Sequence, residues 1–396
     1  MARFSRKKFL CILVVPIFSI LLLAAFYVYT TVQNNAQNAQ IAAWMATCSE
    51  KLQGQEFRCW VDGIESIIQR KGAHAAFAII SSRLLDEPSF KRSCNEILHD
   101  VGHWTYHYTV DNNIEFVMPP KVTLCASAFD RAFVHALIST TGDFVKAVKF
   151  CTDPQLASES PDATARCYHD IGHGALSFYA PRMTGEKPQQ VIARALEECA
   201  KISSTPLQLD YCAGGVFSEV IKFYQTNKYG FSLNKEDPFS FCREQADPYR
   251  RMCYYAAKPL LLWLTNNDFP KAASFIESIV EDTYAIAAID SLATSVTMRN
   301  IANNISVVDY AGDIFACRAL QERLRLPCIA GLAIELLTHS SPVDALEFCR
   351  LSLLSEQERD GCFRRVAPNL AEWTPRDKIQ EICSSLEEKY KEFCQY

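Results

Sequence analysis

Sixteen of the seventeen cysteines in this chain lie beyond residue 47, and read in order they fall into eight pairs, seven of which enclose only 10 to 15 residues. The pairs are Cys48/Cys59, Cys94/Cys125, Cys151/Cys167, Cys199/Cys212, Cys242/Cys253, Cys317/Cys328, Cys349/Cys362 and Cys383/Cys394. An even number of cysteines at a recurring short spacing reads as a disulfide framework, and such frameworks persist only where thiols oxidise. The pattern therefore constrains compartment and fold together. Short loops, each closed by its own crosslink, predict a row of small modules with sequential connectivity.

The flanks of the pairs carry a helical phrase. It precedes the first cysteine in Val145–Cys151 (VKAVKFC), Ile192–Cys199 (IARALEEC) and Val343–Cys349 (VDALEFC), and a second apolar helix follows the second cysteine, as in Cys328–Leu337 (CIAGLAIELL). The 63 residues between Cys253 and Cys317 contain Lys271–Ile276 (KAASFI), the same phrase with isoleucine in the cysteine position. Helix, stapled turn, helix, repeated with a period of roughly 30 to 50 residues, is the signature of an α-solenoid. The expected fold is all-α, a disulfide-stapled array of about eight or nine helical hairpins. Small residues three positions after the second cysteine (Ala128, Gly215, Ala256, Gly331) are expected to let neighbouring helices approach closely. Only 14 glycines occur in 396 residues, which also favours helices over a many-turned β-protein.

An oxidising compartment requires export, and the N-terminus supplies a route. Phe9–Tyr29 is free of charge and long enough to span a hydrocarbon core of roughly 30 Å. Arg3, Arg6, Lys7 and Lys8 precede it and no basic residue follows until Lys51, which predicts a cytoplasmic N-terminus. A cleaved signal peptide has a shorter apolar stretch of about 7–15 residues. The expected organisation is a basic cytoplasmic tail over 1–8, a transmembrane signal-anchor over 9–30, a polar stalk over 31–40 and an exported cysteine-rich domain over 41–396. The destination is periplasmic, extracellular or lumenal. A single glycosylation sequon at Asn304 leans toward a bacterial envelope. With Lys+Arg 40 against Asp+Glu 45 and no basic tract in the body of the chain, a nucleic-acid partner is not expected.

The chemistry-bearing feature is a pentapeptide that occurs twice, His99–His103 (HDVGH) and His169–His173 (HDIGH). Residues four apart share a helix face, so each copy presents two imidazoles side by side, with the motif glycine keeping the neighbouring space open. Six of the eight histidines, including His107 and His135, fall between positions 99 and 173. Imidazole suits Zn, Fe, Cu and Ni. The candidate metal set is His99, His103, His135, His169 and His173 with Asp100 and Asp170, and Glu96 and Glu219 are further carboxylates; haem is the weaker cofactor option. A metal-free alternative stands beside this one. There the histidines and aspartates are structural, and the concave face of the array grips another envelope protein as a scaffold or receptor.

The segment His-Asp-Ile-Gly-His also resembles the metal-binding stretch of HD-domain phosphohydrolases. That resemblance implies His135 as the first ligand and His169 with Asp170 as the His-Asp pair, in a metal-dependent hydrolase. The chain has no Cys-x-x-Cys, no His-Glu-x-x-His, no Gly-x-Ser-x-Gly and no phosphate-binding glycine loop. The common redox, metalloprotease, hydrolase and nucleotide motifs are thereby excluded. Aromatic residues around the motifs, such as Trp104 and Tyr168, and Tyr254, Tyr255 and Trp263 further on, read as packing between repeats.

Overall fold

A computed structural model of the chain describes residues 39–51, 55–159, 163–303, 305–339, 341–370 and 376–394. The basic tail, the anchor segment Phe9–Tyr29 and most of the polar stalk lie outside the described residues, as does Asn304 of the sequon. Among the described residues there is no strand, and no helix is long and apolar enough to cross a membrane. The chain divides after Ile97 into two compact units.

In the first unit a helix over 39–49 (α1) begins inside the last two stalk positions, Ala39 and Gln40. It is followed by α2 (Gln55–Lys71), α3 (Ala73–Ser82) and α4 (Pro88–Arg92). Cys48–Cys59 ties α1 to α2. Trp60 is fully buried and meets Trp44 and Phe90 edge-on, with ring centroids 5.3 and 5.7 Å away, so three aromatic residues from three helices form the centre of this unit.

α5 (Cys94–Asp111) contributes its residues from Leu98 onward to the second unit. There follow α6 (Leu124–Thr141), α7 (Phe144–Cys151), α8 (Pro154–Glu159), α9 (Ala163–Tyr179), α10 (Pro188–Ile202) and α11 (Pro206–Thr226). Next come α12 (Ser240–Arg243), α13 (Tyr249–Ala256), α14 (Lys258–Leu264), α15 (Phe269–Glu277) and α16 (Asp282–Ala302). The last labelled helices are α17 (Ala311–Arg318), α18 (Glu322–His339), α19 (Pro342–Cys349) and α20 (Glu356–Val366). Seven of the expected cysteine pairs are formed with Cα separations of 5.4–5.9 Å.

The helical phrase has a simple physical basis. Asp143, Asp268 and Ser341 each accept a hydrogen bond from a backbone N–H three residues on, and so start α7, α15 and α19. Four residues before each cysteine stands an alanine, and Ala147/Cys151, Ala195/Cys199 and Ala345/Cys349 are all fully buried. An i, i+4 pair lies on one face, and its small side chains let this short helix dock flat on the next one. The unstapled phrase keeps the same face: Ala272 and Ile276 are fully buried, and α15 packs on α16 without a crosslink.

The helices after the second cysteines pack in series. α9 lies against α6 and α11, α11 against α13, α13 against α16, α16 against α18, and α18 against α20. Polar ties between successive hairpins recur at a sequence separation of 35 to 46: Thr297 Oγ1 to Leu332 O, Arg131 to Asp170, Arg318 to Glu358 and His173 to Glu219. Trp263 departs from the expectation of packing. It is 42% exposed, with the Lys235 ammonium 5.7 Å from its ring, because it sits on the outer face of the short helix α14.

Candidate functional site

The two histidine motifs lie on α5 and α9, and their glycines have a different role from the one expected of them. A Cβ at Gly102 would overlap the carbonyl oxygen of Phe129 on α6, and one at Gly172 would overlap that of Cys212 on α11. Gly215, on α11, faces the His169 carbonyl in the same way. The motif glycine thus does not open space. It removes it, bringing backbones close enough for side chains of neighbouring helices to meet.

Those side chains form one continuous chain of polar contacts across α5, α6, α9 and α11. His103 Nε2 is 3.3 Å from His135 Nδ1. His135 Nε2 is 3.3 Å from Ser177 Oγ, and the Ser177 hydroxyl donates to Glu219 Oε1 at 3.0 Å. Glu219 Oε2 accepts from His173 Nδ1 at 3.0 Å. His173 Nε2 lies 3.2 Å from His169 Nε2, and His169 Nδ1 donates to the Tyr211 carbonyl at 3.2 Å. His135 stands between the two motifs, its ring centroid 5.0 Å from that of His103 and 5.9 Å from that of His173.

The electrostatics favour unprotonated rings. Burial, reinforced by neighbouring imidazoles, brings His103 down to about 4 and both His135 and His169 to about 3; His99 is lowered by burial as well. Burial alone would raise Glu219, yet the hydrogen bond from His173 and the Lys222 ammonium 3.6 Å away hold it at about 2, so it is an ionised acceptor. A carboxylate and a backbone carbonyl each fix one ring nitrogen as the proton carrier, which leaves the other as a lone-pair donor.

This assignment produces an unusual contact. With Nδ1 of His169 and of His173 both committed as donors, their two Nε2 atoms face each other at 3.2 Å. Two lone pairs facing each other at this distance repel, and a cation between them would relieve the repulsion. The contact between His103 Nε2 and His135 Nδ1 differs: the Ser177 hydroxyl is spent on Glu219, so His135 Nε2 donates to Ser177 and its Nδ1 is free to accept from His103 Nε2.

The remaining candidates are distributed as follows. Asp170 is buried and paired with Arg131 at 2.7 Å. Burial would raise it, but the Arg131 guanidinium, with His169 and His173, keeps it below the ordinary carboxylate value. Its carboxylate is thus engaged by Arg131, and it lies close enough to His169 and His173 to act on their charge. His99 is half-buried with its ring 5.5 Å from that of His103, Asp100 is half-buried on α5, and His107 and Glu96 are exposed. Among the described residues, no group of three or more His, Cys, Asp or Glu side chains forms a ready-made metal cage. Ser177 and Arg131 were not singled out from the sequence. Ser177 was within reach, since it lies four residues after His173 on the same helix face.

Comparison with family models, curated proteins and solved structures finds no match to this chain.

Proposed function

We propose that this chain is an exported, membrane-tethered helical-repeat protein that holds a transition-metal ion between His169 and His173, with His103 and His135 hydrogen-bonded beside them. The observation that carries the reading is the 3.2 Å separation of two Nε2 atoms whose rings are each oriented through Nδ1. Bonds of about 2.0–2.1 Å from two imidazoles to one ion, at a near-tetrahedral angle, put the nitrogens about 3.3 Å apart. Histidine ligands are typically oriented by a carboxylate or carbonyl on the far nitrogen, the role that Glu219 and the Tyr211 carbonyl fill here. Neutral imidazole is the ligand form, and burial keeps three of these four rings neutral.

Two protein ligands leave coordination positions for water or a substrate, as in a catalytic or metal-handling centre rather than a structural one. The crosslinks support a place outside the cytoplasm. The serial packing and the 35-to-46-residue spacing of its polar ties support the repeat-array reading of the fold.

The test is metal content of the full-length chain isolated from an oxidising host. Stoichiometric zinc, iron or copper is expected, lost in the His169→Ala/His173→Ala variant. Glu219→Gln, which keeps the ring contact but removes the charge, is expected to weaken metal affinity by about 10- to 100-fold. Metal-free protein, or metal retained by the double variant, contradicts the proposal and favours a proton-bridged structural network.

A further inference from the structure

The helix pair α16/α18 repeats the docking of α9/α11. A Cβ at Gly331 would press on the Asp290 carbonyl, as one at Gly215 would press on that of His169. Four residues after each glycine stands a buried glutamate, Glu335 or Glu219. Four residues after Asp290 and His169 come Thr294 and His173, each bound by a side chain from a neighbouring helix: Lys258 Nζ donates to Thr294 Oγ1 at 3.2 Å, and Glu219 accepts from His173 at 3.0 Å. The place occupied by the imidazole pair in one half of the unit is therefore rebuilt in the other half with different chemistry.

Beside this second place lies an open groove of about 600 Å³ between α13, α16, α18 and α20. Its apolar lining includes Ile286, Ala287, Leu326 and Ala330, and Ile286 is 39% exposed. Arg251 enters from α13, and Arg364 and Arg365 from α20; the one carboxylate in the lining is Asp290. Asp290 is already engaged by Arg365 at 2.8 Å. Arg251 pairs with Asp210 at 3.7 Å, and the Arg364 guanidinium rests 4.8 Å from the Phe393 ring. Two exposed guanidinium groups thus flank an apolar trough, Arg251 at salt-bridge distance from one carboxylate and Arg364 resting on an aromatic ring. Planar forked donors of this kind match the oxygens of a carboxylate or a phosphate.

We infer that this groove binds a small organic oxyanion with an apolar body. Arg251 and Arg364 hold the anionic head, and the body lies over Ile286, Ala287, Leu326 and Ala330. The volume fits the range of small-molecule sites, about 300–1,000 Å³. The inference does not depend on metal at the histidine site.

Calorimetric titration of the full-length chain with phenyl phosphate and phenylacetate tests it, with benzyl alcohol and inorganic phosphate as probes of each half of the ligand. At least one of the two amphiphilic anions is expected to bind ten-fold or more tightly than either half-ligand. Arg251→Ala/Arg364→Ala is expected to weaken that binding at least ten-fold. Ile286→Glu, a change at an exposed position that places negative charge in the trough, is expected to do the same with the melting temperature unchanged. Failure of both amphiphilic anions to bind overturns the inference, as does equal binding of benzyl alcohol or inorganic phosphate. Wild-type affinity in both variants overturns it as well.

Discussion

Gly215→Ala is expected to destabilise the second unit by about 3 kcal/mol or more, whereas Gly312→Ala is expected to stabilise it by about 0.5–1 kcal/mol. Both glycines are helical and the substitution is chemically identical. The difference lies in what the new methyl meets. At Gly215 it would overlap the His169 carbonyl, with the His173 backbone nitrogen also close, and neither group can yield without separating α9 from α11. At Gly312, on α17, nothing lies within 4 Å of the added Cβ, so only the gain in helix propensity remains. Paired calorimetric scans of the two variants check this, and a Gly215→Ala protein melting with the wild type would refute the close-docking account. The same variant would also part the His173–Glu219 contact, so its loss of metal should accompany its loss of stability.

A second large effect is expected at Asp130, whose side chain is fully buried on α6 with no side-chain hydrogen-bond partner for either carboxylate oxygen among the described residues. Burial, with the nearby Asp170 carboxylate acting in the same direction, holds its pKa well above the ordinary carboxylate value. The sign of the linkage follows directly. As pH rises past about 4, the unfolded chain releases this proton while the folded chain keeps it, so the folded state binds more protons and stability falls with pH. One such group gives a slope of about 1.4 kcal/mol per pH unit until the folded pKa is reached. Asp130→Asn removes the titration. Its advantage over the wild type should grow as pH rises from 3.5 to 6. A difference that stays constant between those pH values, measured by denaturant unfolding, would show that Asp130 ionises normally in the folded chain.

Much of this architecture could be read from cysteines and alanines because both act locally. A crosslink across 11 to 16 positions and an alanine one helical turn before a cysteine report on a hairpin without knowledge of the rest of the chain. The unstapled unit at Lys271–Ile276 was legible for the same reason, since an isoleucine fills the buried position that the sulfur fills elsewhere.

The site was legible only in part. That His169 and His173 share a face followed from their spacing, and Glu219 stood among the further carboxylates. The partner of Asp170 did not follow, because Arg131 lies 39 positions away on another hairpin, and only the docking of α6 on α9 brings them together. The position of His135 between the motifs has the same origin. The motif glycines were read as room for a ligand, whereas their environment is a neighbouring backbone; spacing within one helix carries no record of what approaches it from outside. Trp263 shows the converse, an aromatic residue at helical spacing that the fold leaves exposed.

The most direct measurement is X-ray absorption at the metal edge of the full-length chain loaded with zinc. The account predicts two imidazole nitrogens at about 2.0–2.1 Å, with oxygen in the remaining positions, and loss of the imidazole signature in His169→Ala/His173→Ala. A spectrum with oxygen neighbours alone, or one unchanged by that substitution, would contradict it.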